Sequence, residues 1–425
     1  MQKYKSYKPS GLDLFQEFPS HWKLSRMKNV GKVNQGLQIP ISKRLLKKEK
    51  GSEPYITVRK INSPNSTQYY IKGANRSVRC DEEDILIART GATGQIISNV
   101  KGVFHNNFFV FRYNQKKFSK NFILYYLSAE SLRSYLLMLA GTTTIPDLNH
   151  NNFYSIPFLK LPLKEQISIA NYLNSKTKLI DKKIKLLQEK IDLYKEYKKS
   201  VVNDTVLNGL KDDISHWNNK RLKDVGKLYS GLSGKSGNDF NQDENPNNKG
   251  FIPFTNIANN TYLDKNHLGT VIIEKNENQN RVKKGDIFFL MSSEGYEDIG
   301  KSAVLLDDID EVYLNSFCKG FRLKNKNCEP SFINYVLSSD YYRQKMIVEG
   351  KGFTRINLKM EKVNNFEIHI PPNKEEQVEI AEFLDSKTET IDKIVGNIKK
   401  QIKTLKELRK TLINDVVTGK IKVTG

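Results

Sequence analysis

The chain has 425 residues, 38% of them hydrophobic, with 20 Tyr and 21 Phe. That is enough apolar matter for two or more packed domains, and it excludes wholesale disorder. No apolar run reaches the roughly 18 residues of a membrane span, and the opening MQKYKSYKPSG has no apolar signal core, so a cytoplasmic protein with no membrane partner is expected. Cys80, Cys318 and Cys328 stand at unrelated spacings, which gives neither a disulfide framework nor a metal motif.

The net charge is +22, from 69 Lys and Arg against 47 Asp and Glu. Its distribution is uneven. Residues 1–160 hold 25 basic and 10 acidic side chains (+15), 161–210 hold 10 and 6 (+4), 211–369 hold 23 and 22 (+1), and 370–425 hold 11 and 9 (+2). A strongly basic first part points to a polyanionic partner, of which double-stranded DNA is the usual one.

Taken in order, the chain opens with Ser20-His21-Trp22 through Gly36, then short apolar runs bounded by Gly, Asn and Pro: Pro54–Val58, Asp84–Ala88 and Phe108–Phe111. These read as strands. A helical stretch Lys120–Leu139, a polar loop Gly141–Thr144 and a last strand ending near Pro157 or Pro162 complete the first globular part. A long helix follows over 161–210. The second half repeats the order: Ser215-His216-Trp217 through Gly231, strands Ile252–Thr255, Asp286–Leu290 and Lys319–Leu323, helix Ser331–Val348, loop Gly350–Arg355, then Pro371-Pro372 and a helix over 371–425. The expected domains are 1–160, 161–210, 211–370 and 371–425.

The repetition is literal in two blocks. Residues 165–182 and 376–393 share 11 of 18 positions, and residues 20–36 and 215–231 share 9 of 17. The offset grows from 195 to 211 between the blocks, so the second globular part has 16 net extra residues; the polar stretch Asn238–Lys249 is an obvious place for some of them. The paired His-Trp dipeptides read as docking residues at the start of each domain.

The helical segments carry heptads. Leu173, Ile180, Leu187, Tyr194 and Val201 recur every seven residues in the first, and Leu384, Ile391, Ile398, Leu405 and Leu412 in the second. Four residues on from each stand Thr177, Ile184, Ile191, Lys198 and Thr205 in the first and Thr388, Val395, Ile402, Arg409 and Val416 in the second, five of the ten apolar. Two stripes of equal length and phase can bury each other as a coiled coil roughly 65 Å long. If the second helix returns along the first, the pair is antiparallel and an approximate two-fold relates the halves. The fold class is α+β: two mixed, strand-rich domains separated by a long two-helix coiled coil. Duplex DNA has two-fold axes of its own, so such an object suits two half-sites.

The usual catalytic patterns are missing. Tyr229–Ser236 ends like a phosphate-binding loop, but Tyr229 stands where that loop needs glycine. Ile370-Pro371-Pro372-Asn373 is not the Asn/Asp-Pro-Pro-aromatic signature of amino methylation, and Pro146-Asp147 lacks the acidic-x-Lys that would continue a nuclease motif. Candidate DNA contacts are distributed instead. In the first part they are Lys43, Arg44, Arg59, Lys60, Arg76, Arg79, Arg89, Thr90, Thr93 and Thr143. In the second they are Lys235, Ser236, Asn256, Arg281, Ser292, Ser293, Tyr296, Lys301, Lys351 and Arg355. Arg and Lys suit guanine's groove edge and phosphate, and Asn suits adenine.

Two variable globular parts, each opened by a His-Trp…Arg-x-Lys-x-Val-Gly segment and closed by a Glu-Gln-x-x-Ile-Ala-x-x-Leu helix, resemble the specificity subunit of type I restriction–modification enzymes. The residues that carry this are Glu165-Gln166, Ile169-Ala170, Leu173, Lys176-Thr177 and Ile180-Asp181, with Glu376-Gln377, Ile380-Ala381, Leu384, Lys387-Thr388 and Ile391-Asp392, and the later pairs Asn203-Asp204 and Asn414-Asp415. The resemblance implies two target recognition domains, each reading half of a bipartite DNA sequence, and helices that set the spacer. It implies docking of two methylation subunits, joined by nuclease–translocase subunits. It also implies a non-catalytic chain that binds no cofactor, S-adenosylmethionine, ATP and magnesium belonging to the partners. The near-neutral second domain departs from the simplest electrostatic form of that picture. A coiled-coil adaptor and a DNA-modifying enzyme with unusual motifs are the alternatives. The adaptor predicts no salt-sensitive DNA affinity, and the enzyme predicts turnover by the chain alone.

Overall fold

The computed structural model describes residues 2–141, 146–242, 244–352 and 354–423. They form two compact units: unit one is Met1–Gln188 with Lys399–Gly425, and unit two is Glu189–Ile398. Both long helices are continuous, Leu163–Asn208 and Lys374–Val417, and each contributes a segment to both units.

Each unit has a sheet with a buried central strand. In unit one the order is Gly31–Gln35, Phe108–Tyr113, Ile85–Ala88, Ile96–Ile97; in unit two it is Gly226–Ser230, Cys318–Leu323, Ile287–Leu290, Ser302–Val304. The central runs are apolar at every position because both faces are covered. Side chains alternate along them. Ile85, Ile87, Phe109 and Phe111 join the core with the helices, while Leu86, Ala88, Phe108 and Val110 face a second apolar layer. Ile287, Phe289 and Phe321 against Phe288, Leu290 and Cys318 repeat the division. A second sheet in each unit pairs Ser52–Ile56 in parallel with Gly102–Phe104, and Asn248–Ile252 in parallel with Val312–Leu314.

Equivalent ladder pairs locate the extra residues of unit two. Tyr55 pairs with Val103 and Phe251 with Tyr313; Ile87 pairs with Phe109 and Phe289 with Lys319. The offset is therefore 196 at this strand (251 − 55), 202 at the central strand (289 − 87) and 210 beyond it (319 − 109). Asn238–Lys249 precedes the first of these and holds almost none of the surplus, contrary to the sequence expectation. The net insertions are spread over several connections, six residues before the central strand and eight after it, with four of the six already present between the first two strands of the second sheet.

Two further expectations change. Phe254 and Thr255 are not strand: Pro253 closes the strand and Phe254–Asn259 is a short helix. The stretches Lys120–Leu139 and Ser331–Val348 are each two helices, Lys120–Ser128 with Glu130–Ala140 and Pro330–Ser338 with Asp340–Val348. Ala129 and Ser339 stand extended at the breaks (ψ 139° and 150°). Neither break has Pro or Gly; both residues are small and buried, and packing against the unit sets the bend.

The long helices pair antiparallel within each unit. In unit one Leu173 shares a core with Leu412, Val416 and Val417, and Asp181 meets Arg409 Nε at 3.0 Å. In unit two Val206 shares a core with Ile380, Ala381 and Leu384, and Lys198 Nζ meets Asp392 at 2.7 Å. Leu173, Leu384, Ile391, Ile398 and Leu412 are buried, and Ile180, Leu187, Tyr194, Val201 and Leu405 half-buried. Thr177 and Thr388 face a globular part as well: they bond Tyr125 Oη (3.0 Å) and Tyr335 Oη (3.3 Å), which explains a polar residue at an apolar heptad position.

Candidate nucleic-acid interface

The repeated blocks prove to be joints. Glu165 lies in the first turn of its helix and accepts from Trp22 Nε1 (3.1 Å) and Tyr4 Oη (2.8 Å), with His21 Nε2 at 3.0 Å. Glu376 accepts from Trp217 Nε1 (2.9 Å), with His216 Nε2 at 2.8 Å. Gln166 is fully buried: its oxygen accepts from Ser119 N (3.0 Å) and its amide donates to Lys117 O (3.1 Å) and Leu161 O (2.9 Å). Gln377 does the same with Glu329 N, Asn327 O and Pro371 O. The helix ends are tied in turn. Asn414 Oδ1 accepts from Ser131 Oγ (2.6 Å), and Asn203 Oδ1 accepts from Tyr341 N (2.9 Å). Gly419 and Gly209 then turn at φ +81° and +73° beside Trp22 and Trp217, where a left-handed residue ends the helix. The His-Trp docking role was legible in sequence; the Glu-Gln clamps were visible only as repeated letters.

With these residues spent on the frame, variable loops are left to meet a ligand. In unit one the loop after the central strand meets residues 146–148; of the polar loop Gly141–Thr144, residues 142–144 lie outside the described ones. Arg89 forms a bidentate pair with Asp147 (Nη2 to Oδ2 2.6 Å), Leu148 N donates to Arg89 O (3.1 Å), and Thr93 Oγ1 donates to Pro146 O (2.7 Å). The Arg89 guanidinium holds the Asp147 carboxyl below the usual carboxylate range. Arg89 N and Thr90 N both bond Asn107 O, which brings in the turn before Phe108. Beside it a cavity of about 240 Å³ is lined by Arg44, Thr57, Arg59, Tyr69, His105 and Asn107. Arg44 donates to Ile39 O and lies over the rings of Tyr55 (5.0 Å) and Tyr69 (5.4 Å). Burial, then Arg44, lowers the His105 pKa; the neutral ring accepts from Asn107 N at Nδ1 (3.0 Å).

Of the remaining candidates in unit one, Lys43, Arg59 and Arg76 are exposed and have no acidic partner among the described residues. Lys60 Nζ is spent on Pro64 O and Ser66 O, and Arg79 pairs with Glu53 at 2.8 Å. Thr143 lies outside the described residues.

Unit two builds the same edge from other side chains. Ser292–Ser293 pairs with Ile356–Asn357, and Lys351 bridges to Asn357. The turn before Cys318 joins them through Met291 N and Phe317 O (3.3 Å). Arg355 lies over the Phe317 ring at 4.8 Å, and Tyr296 is exposed nearby in sequence. Phe317 was not among the sequence candidates; its signal, an aromatic in the polar turn Asn315-Ser316-Phe317, is slight. Lys301 pairs with Asp298 (2.7 Å), Arg281 with Glu311 (2.9 Å), and Lys235 with Glu277 on a side chain only 5% exposed. Ser236 bonds Asp239, which caps a single 3-10 turn. Asn256, chosen from sequence as an adenine reader, is instead fully buried. Its amide donates to Asp264 O (2.9 Å) and His267 O (2.7 Å) and its oxygen accepts from Asp264 N (3.0 Å), so it holds a loop and has no free edge. Burial pushes the Cys80 and Cys318 thiols up to about 12 and raises that of Cys328, which disfavours the thiolate at each.

Comparison with known proteins agrees with this duplicated frame. The family model for the type I restriction modification DNA specificity domain matches twice, at residues 19–192 and 214–404. The MjaVIII type I restriction enzyme specificity subunit of Methanocaldococcus jannaschii is 23% identical over 428 residues, 95% of this chain and 94% of that protein. A chain from a structure addressing assembly and conformational transition of the type I R-M system superposes with a TM-score of 0.74 at 16% identity, over 95% of this chain and 99% of that one. The HsdS subunit from Thermoanaerobacter tengcongensis gives 0.58 at 15% identity, over 95% and 98%. This chain belongs to the family of type I restriction–modification DNA specificity proteins.

Proposed function

We propose that the chain is the target-reading subunit of a type I restriction–modification complex and performs no covalent chemistry itself. Each unit reads one half of a bipartite DNA sequence, and the length of the paired helices sets the unspecified spacer. One observation carries this: equivalent ladders and clamps hold two copies of one frame, while the loops at the equivalent edge share almost no chemistry. Arg89, Thr90 and Asn107 stand on one, and Ser292, Phe317 and Arg355 on the other. A frame kept twice with unlike loops suits two different half-sites.

Methylation subunits dock along the helices, two per chain, and nuclease–translocase subunits join that core. Exposed Leu179 and Leu186 in unit one, and Leu193 and Tyr197 in unit two, favour docking, since large apolar side chains on a helix otherwise face water. S-adenosylmethionine, ATP and magnesium are bound by those partners. Single-molecule methylation sequencing of the host with and without this chain tests the reading. A two-part methylated motif that disappears on deletion supports it, and an unchanged methylome refutes it. The purified chain should also bind duplex DNA with an affinity that falls steeply with salt.

A further inference from the structure

Unit two puts an exposed phenylalanine and an arginine without an acidic partner together. Phe317 is 49% exposed, and the Arg355 guanidinium sits 4.8 Å from its ring centroid. Among the described residues no carboxylate pairs with Arg355, whereas Lys235, Arg281 and Lys301 of the same unit each hold one. The backbone that carries each residue is tied to the loop after the central strand. Residues Ile356–Asn357 are paired with Ser292–Ser293, and Phe317 O accepts from Met291 N. The loop returns tightly on itself: Gly352 has φ +153°, and a Cβ there would lie 1.9 Å from Arg355 O.

Stacking restricts an otherwise mobile side chain and leaves the in-plane N–H donors of the guanidinium free. A rigid fork of donors without a resident acid matches two acceptors side by side. Guanine offers that pattern, O6 and N7, in the major groove. Unit one has Asn107 at the position of Phe317, each preceding the first residue of the equivalent strand, so this platform is particular to unit two. It also gives the nearly neutral unit a way to bind that does not depend on a charged surface.

We propose that Arg355, seated on Phe317, is the guanine-reading residue of unit two, with Phe317 as its positioning residue. This rests on the DNA-reading function above. The test is selection of duplexes from a random pool by the full-length chain, followed by competition titrations with the selected site. The wild-type chain enriches a two-part motif. Arg355→Ala abolishes the preference for guanine at one position of one half, at a cost of roughly 10- to 100-fold for that site, and leaves the other half unchanged. Arg355→Lys keeps the charge and still loses the preference. Phe317→Ala weakens the same position, and Phe317→Tyr restores it. Phe317 and Arg355 are exposed, so thermal melts of all four variants should overlay the wild type. A motif that survives Arg355→Ala intact overturns the proposal, as does an equal loss of affinity for every duplex, the mark of a phosphate contact. A wild-type chain that enriches no two-part motif refutes the underlying function instead.

Discussion

Unit one and unit two differ where they meet solvent and agree where they are built. Their ladders pair equivalent residues, their Glu-Gln clamps make equivalent bonds, and their helix ends dock through the same Asn. Their charges diverge. Unit one leaves Lys43, Arg59 and Arg76 exposed without acidic partners among the described residues, while unit two answers Lys235, Arg281, Lys249 and Lys301 with Glu277, Glu311 and Asp298. Polar joints buried in the frame tolerate little change, whereas surface charge can be exchanged for a different way of binding.

The agreement is the easier half to break. Gln166→Ala leaves Ser119 N, Lys117 O and Leu161 O without their partner in a fully buried site, a loss of about 2–4 kcal/mol. Gln377→Ala should cost unit two a similar amount. Urea unfolding of both variants checks the equivalence, and a large effect in one alone would show that the clamps are not the same device. Asn256→Ala is expected to cost about 1–3 kcal/mol for the loop bonds it loses, and to leave the selected DNA motif intact, because the side chain faces the core.

The divergence predicts unequal salt dependence. Replacing Lys43, Arg59 and Arg76 together with Gln removes three uncompensated cations, so the slope of log affinity against log salt should shallow by up to about 2.7. Replacing Arg281 and Lys301 with Gln removes cations already held by acids, and the slope should move by less than about one. Equal changes in titrations of the full chain would erase the electrostatic distinction between the units.

How much of this was written in the sequence depends on the kind of signal. The repeat, the heptads and the central strands were legible because they are periodic or apolar throughout, as Ile85–Ala88 and Ile287–Leu290 are. The breaks at Ala129 and Ser339 were not, since no Pro or Gly marks a bend that packing imposes. The candidate interface was half legible. The loops around Arg89 and Ser292 were found from their composition; the structure brings the first against residues 146–148 and the second against Ile356–Asn357, each just beyond a polar loop picked out from sequence, and residues 142–144 of the first such loop lie outside the described ones. What composition cannot reveal is which side chains are already engaged. Asn256, Lys60 and Lys235 look like ligand contacts as letters and are tied down, Lys60 and Asn256 by their own loops and Lys235 by Glu277, 42 residues on. Phe317 looks like core and stands in solvent.

The smallest expected effect bears on why unit two is neutral. Glu311 holds two cations at once, Lys249 Nζ at 2.5 Å and Arg281 Nη2 at 2.9 Å. Its carboxyl lies below the ordinary carboxylate range, chiefly because Lys249 donates to it, so the clamp is fully charged at neutral pH and is lost only as pH falls through that depressed value. Glu311→Gln removes the charge that holds both cations and adds one positive charge overall; the residue is half-buried and precedes the strand Val312–Leu314, whose ladder it does not join. If this face of unit two avoids phosphate only because these two cations are occupied, the variant's salt slope should steepen by about one to two, toward that of unit one. If the slope stays put, this face of unit two does not approach the duplex backbone, and its affinity must come from a few side chains such as Arg355 and Phe317. The two outcomes separate a masked electrostatic surface from one that reads DNA by shape and hydrogen bonds.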